Sequence, residues 1–294
     1  MWNGFSAYTM YMKTVKLAGA LALLLLSCTV FSHLPTGMTQ VTSEPPANPA
    51  PTLPTDTPEA HTGQPVPFEL PDKVGGIAIH YYFDTAAYFS PEWLAEPISC
   101  SGKQFDLTEA PRVVKDIDQF VSAYHPDFIR QNLVDIYLLD DLQCFGSPYG
   151  GTNGWTSLYI TVGPVNEGYT DPFLLSMLHA EFSSILMRNY SFPHEAWTSI
   201  NDAGFTYSEN DVKAVRQEDI RSQTEDLLQR GFLYLYSTTS EENDFNLFAE
   251  EFFTNAEKLC ELRARYERIN SKAELAIDFY ESIGSGVEFQ TCQQ

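Results

Sequence analysis

The sequence predicts an α+β fold, with strands gathered early in the domain and helices after them. Three observations carry this. Segments 75–84, 134–139 and 157–163 are β-branched and aromatic, a composition suited to a pleated, half-buried surface. Val113, Val114, Ile117, Phe120, Val121 and Tyr124 recur at helical spacing between the first two segments. Beyond Pro172 the helical period dominates to the end, interrupted at residues 201–207 and at Gly231. Strands followed by helices mark an α+β architecture rather than an alternating α/β one.

Residues 1–28 read as an address and not as part of the fold. Lys13 and Lys16 supply positive charge, residues 17–26 are almost unbroken apolar sequence, and the run closes on Leu25-Leu26-Ser27-Cys28. That run falls short of the roughly 20 apolar residues that span a bilayer as a helix. Its ending resembles a bacterial lipobox, which implies that Cys28 becomes the lipidated first residue of the mature chain. A plain secretory signal is the alternative, and translation starts at Met1 or Met12. Thr29, where an Asp would retain such a protein at the inner membrane, points to an outer-membrane anchor facing the periplasm or the cell surface.

Residues 29–72 are proline-rich and lack Lys and Arg, so they read as an extended tether. Residues 73–294 read as one domain. A hydrophobic content of 44% supports a packed core there. The formal charge of −22 repels phosphate backbones, which excludes nucleic acid as a natural partner. With Cys28 assigned to the anchor, four cysteines remain, and they allow three pairings. Separation along the chain favours Cys100–Cys144 and Cys260–Cys292, with buried free thiols as the alternative.

The informative segment is 171–190, DPFLLSMLHAEFSSILMRNY. At about 100° per residue, Leu174, Met177, Leu178 and Ile185 all fall within about 60° of Glu181. Glu181 therefore lies in the middle of an apolar face. A buried carboxylate there needs a metal, a cation or a hydrogen-bonding partner such as Ser184 or Arg188. In an HExxH helix, two histidines one turn apart bind zinc, and the Glu beside the first activates the water. Ala180 and Ser184 hold those two ligand positions here, and neither is a useful zinc ligand. His179 projects to the opposite side from Glu181.

LLSMLHAEFSSIL nevertheless resembles the active helix of the zinc-binding metallopeptidases found as bacterial lipoproteins, whose pattern is close to IHHEFAHIL. The segments 189–197, 231–236 and 244–251 resemble the stretches that follow in that family. The resemblance covers roughly residues 75–265 and implies a zincin-like fold, with a small mixed sheet and an edge strand before the active helix. It implies that Glu181 is a relic of the general base and that Glu250 occupies the third-ligand position. On its own helix Glu250 borders the apolar stripe of Ala249, Phe253, Ala256 and Cys260, while Glu251 is expected to face solvent.

With both histidines replaced, the expected protein is a non-catalytic envelope lipoprotein, a pseudopeptidase that binds a peptide or protein in its cleft and needs no cofactor. The alternatives are a zinc-dependent metallopeptidase with non-standard ligands, for example His194 with Glu250, and a purely structural module. Other candidates carry less. His194-Glu195 lacks a second histidine four residues on, His80 reads as a structural strand residue, and Asp135, Asp140 and Asp141 read as solvated acids. No GxSxG, GxGxxG or Walker sequence occurs. Tyr149, Trp155, Tyr159, Trp197, Tyr234 and Tyr236 are candidates for lining a cleft, although most large aromatics are core.

Overall fold

A computed structural model of the chain describes residues 69–208 and 220–292. The signal region with Cys28 and nearly all of the tether lie outside the described residues. Seven strands form one mixed sheet: β1 (Lys73–Val74), β2 (Ile77–His80), β3 (Ser101–Gln104), β4 (Asp135–Cys144), β5 (Ser147–Pro148), β6 (Gly151–Asn153) and β7 (Ser157–Thr161). The main path runs β1-β2-β4-β7-β6. β2 and β7 flank β4 in parallel, whereas β1 and β6 close the path in antiparallel pairings. β3 and β5 pair antiparallel with β4.

The first predicted strand is shorter than its composition suggests. Gly75 and Gly76 have φ of +58° and +96° and turn the chain between β1 and β2. A side chain at Gly75 would also collide with Val121, whose Cγ1 lies 2.3 Å from the position of its Cβ. The Gly-rich segment 149–154 contains the edge strand β6.

Among the described residues, eight helices follow the sheet strands or connect them. They are α1 (Ala110–Ser122), α2 (Pro126–Asn132), α3 (Asp171–Asn189), α4 (His194–Ser199), α5 (Glu225–Gln229), α6 (Glu241–Thr254), α7 (Ala256–Arg265) and α8 (Glu267–Ser282). Two four-residue helices, Thr85–Tyr88 and Pro91–Leu94, precede them. The mixed sheet with a mainly helical C-terminal half is the α+β architecture expected from the sequence.

Strand alternation divides the core in two. Ile136 and Leu138 of β4, with Leu158 and Ile160 of β7, point into the main core against α1, α3, α6 and α8. Leu139, Leu142 and Tyr159 point the other way, into a smaller cluster with Tyr88, Phe89, Trp93 and Tyr149. Both favoured cysteine pairs come together. Cys100–Cys144 lies in the smaller cluster and joins the start of β3 to the end of β4. Cys260–Cys292 pins the C-terminal tail to α7.

Candidate functional site

Helix α3 begins with Thr170 accepting from the Phe173 N–H and Pro172 in the first turn, then runs through the centre of the molecule. Every residue from Met177 to Met187 is buried. The helix is therefore enclosed on all sides, where the sequence pattern suggested a single apolar face. His179, read as projecting opposite Glu181, is buried as well, as are Ser183 and Ser184.

Glu181 is fully buried and faces the edge strand. Its Oε2 accepts from Asn153 Nδ2 at 2.6 Å. The backbone must approach closely here, because a Cβ on Gly151 would stand 3.0 Å from Glu181 Cγ. Asn153 Oδ1 in turn accepts from the Arg188 guanidinium, which also donates to Gly154 O at 2.6 Å. Arg188 reaches Glu242 Oε1 on α6 at 3.5 Å. Burial pushes the Arg188 pKa down, and the charges of Glu242 and Glu181 oppose that shift. Asn153 is thus the partner the sequence reading missed, and Arg188 acts through it across the sheet edge.

The side of α3 that carries Ala180 and Ser184 faces α6 in a regular antiparallel ladder. Arg188 meets Glu242, Ser184 meets Asn246, and Ser176 meets Thr254. The first step moves four residues back on α3 and four forward on α6, and the second moves eight on each, which brings Ala180 level with Glu250. The Asn246 amide lies 2.6 Å from Ser183 Oγ and 2.8 Å from Ser184 Oγ, and either amide orientation bridges both hydroxyls. Glu250 is 4% exposed, and both of its oxygens are held by Arg221, at 2.7 and 3.2 Å. Burial pushes the Glu250 carboxyl up, and Arg221 opposes that rise.

Glu251 departs from expectation. It is 3% exposed and accepts from the Tyr234 hydroxyl, with the Lys258 ammonium at 4.0 Å. The face of α6 that the sequence assigned to solvent is therefore closed by Tyr234.

These residues do not fit a zinc ion. Ala180 has no donor atom, the Ser184 hydroxyl is engaged by an amide, and a guanidinium already neutralises Glu250. His194 does not complete a site with Glu250: it pairs with Glu241 at 2.8 Å, and Glu250 lies roughly 13 Å further along α6 at 1.5 Å per residue. Among the described residues no group of three or more His, Cys, Asp and Glu side chains is arranged to hold a metal ion.

The remaining candidates separate in space. His80 binds Asp135 at 2.7 Å and stacks on Tyr137, while Asp141 pairs with Lys103 at 3.0 Å. Tyr149 and Tyr159 belong to the smaller core cluster, Trp197 and Tyr236 to the main core, and Trp155 is exposed. Among the described residues no helix is long and apolar enough to cross a membrane.

Comparison with known proteins gives little at the level of sequence. No family description matches the chain, and no curated protein does. Among solved structures, the chain is similar to one described as a "putative zinc-binding metallo-peptidase" from Bacteroides caccae ATCC 43185. The identity is 14% and the TM-score 0.47, over 72% of this chain and 82% of that one.

Proposed function

We propose that this chain is an envelope lipoprotein, anchored through Cys28, that acts by binding a peptide or protein and not by hydrolysis. The observation that carries the non-catalytic reading is the Arg221 guanidinium closed on both oxygens of Glu250. A fixed organic cation there occupies the carboxylate that the resemblance would assign to a metal. A second support is the engagement of Ser184 by Asn246. Among the described residues no ligand set stands ready to hold a metal that would lower the pKa of a bound water for attack on a peptide carbonyl.

Metal analysis tests this directly. Protein purified without chelator should carry zinc far below one equivalent, and Glu250→Ala should leave that content unchanged. Stoichiometric zinc that disappears in Glu250→Ala would instead establish a metallopeptidase with non-standard ligands. In the same preparation, metabolic labelling with a palmitate analogue should be abolished by Cys28→Ala.

A further inference from the structure

Lys272 on α8 is fully buried, and its Nζ donates to Asp244 Oδ2 on α6 at 2.6 Å. Asp244 is fully buried as well. The same Oδ2 accepts from the Tyr207 hydroxyl at 2.9 Å and from Trp197 Nε1 at 3.1 Å. Oδ1 has no hydrogen-bond partner among the described residues. Nζ stands 4.2 Å from the centre of the Phe232 ring and 5.5 Å from that of Trp197, both fully buried. An amine and a carboxyl are thus held in contact inside an aromatic pocket, with every donor converging on one carboxyl oxygen.

The environment favours the uncharged forms. Burial pushes the Asp244 carboxyl up and outweighs the opposing pull of the Lys272 charge. Burial likewise pushes the Lys272 ammonium down against the pull of Asp244. A neutral amine is a nucleophile and a protonated carboxyl its electrophile, whereas the charged pair is unreactive. Enforced contact raises the effective concentration of the two groups, and the dry pocket removes the water that would favour hydrolysis.

We propose that Lys272 and Asp244 join in an intramolecular isopeptide bond linking α6 to α8. The Nζ lone pair adds to Asp244 Cγ and forms the C–N bond. Oδ2 takes the developing negative charge, which Tyr207 and Trp197 stabilise from their present positions. The C–Oδ1 bond then breaks, and the hydroxyl leaves with one proton from the nitrogen. Amine plus acid gives amide plus one water, so no oxidant, reductant or co-reactant is needed. The link would span 28 residues of sequence beside the Cys260–Cys292 disulfide, holding the C-terminal helices together even under reducing conditions.

Peptide mapping of the full-length chain tests it. The protein is reduced, denatured, digested with trypsin and analysed by mass spectrometry. The dominant product should be a branched peptide joining 231–258 to 269–294, lighter than the sum by one water and uncut after Lys272. Recovery of free 231–258 together with cleavage after Lys272 overturns the proposal, whatever the fate of any variant. In Lys272→Arg the branched species should vanish and free 231–258 should appear; a branched species that persists in this variant also overturns the assignment.

Discussion

Glu242 and Asp244 stand two residues apart on α6, yet they enter two buried clusters built on opposite lines. The first cluster disperses its charge. Arg188 faces Glu242 directly, meets Glu181 through the neutral amide of Asn153, and also donates to a backbone carbonyl. The second concentrates its ionisable groups in one contact. Lys272 and Asp244 touch inside a shell of aromatic rings, with only two neutral donors in support. Burial costs are shared among several groups in one case and rest on a single contact in the other. Removing one member should therefore have unequal consequences.

The largest effect belongs to the concentrated pair. Asp244→Ala abandons a buried amine among aromatic rings and should lose about 3–5 kcal/mol in urea denaturation. The double variant Asp244→Leu with Lys272→Met removes both polar ends and should recover the part of that loss that comes from stranding the buried amine. If the single variant costs no more than an ordinary surface change, the distinction between the clusters collapses.

A smaller loss is expected from the dispersed network. Glu181→Leu takes away the acceptor for Asn153 and one of the charges near Arg188, at a cost of about 1–3 kcal/mol. Glu181→Gln keeps an oxygen for Asn153 and should cost less. A relic carboxylate with no structural role would instead make Glu181→Leu neutral or stabilising, and equilibrium unfolding separates the two cases. The hydrogen bond from Asn153 places the expectation on the side of a loss.

The third effect is a slope with pH. His179 shares α3 with Glu181 but is buried among aromatic side chains, stacked on Phe253 and hydrogen-bonded through Nδ1 to the Tyr124 hydroxyl at 2.9 Å. Burial lowers its pKa from 6.5 to about 3. Below pH 6.5 the unfolded chain binds a proton that the folded chain refuses, so stability falls as the pH falls from 6.5 towards 3. The contribution is about 1.4 kcal/mol per pH unit. His179→Phe should flatten this part of the stability profile between pH 6 and 4. An unchanged slope would show that His179 takes up a proton without unfolding.

Much of the architecture was legible because local rules dominate it. Alternation in 134–139 and 157–163, and the helical spacing of Val113 to Tyr124, reflect which faces must be buried. The cysteine pairs followed the same logic of proximity along the chain. The anomaly at Glu181 was also visible, since a carboxylate among apolar neighbours breaks a periodic pattern. Its partner was not, because Asn153 lies 28 positions away and looks like an ordinary turn residue beside glycine. Glu251 was misplaced for a related reason. A helical wheel reports the angle around one helix, whereas the burial of Glu251 comes from Tyr234, outside that helix.

By itself the sequence determined the order of strands and helices, a preference for two cysteine pairs and the absence of histidine at positions 180 and 184. These follow from periodicity, spacing and side-chain chemistry, which are local properties. Only the tertiary structure decided that Glu250 is closed by Arg221, that Glu181 is held through Asn153, and that Lys272 meets Asp244 in a dry pocket. Each of these joins residues far apart in the chain, and desolvation, which gives them their chemistry, exists only once the helices have packed.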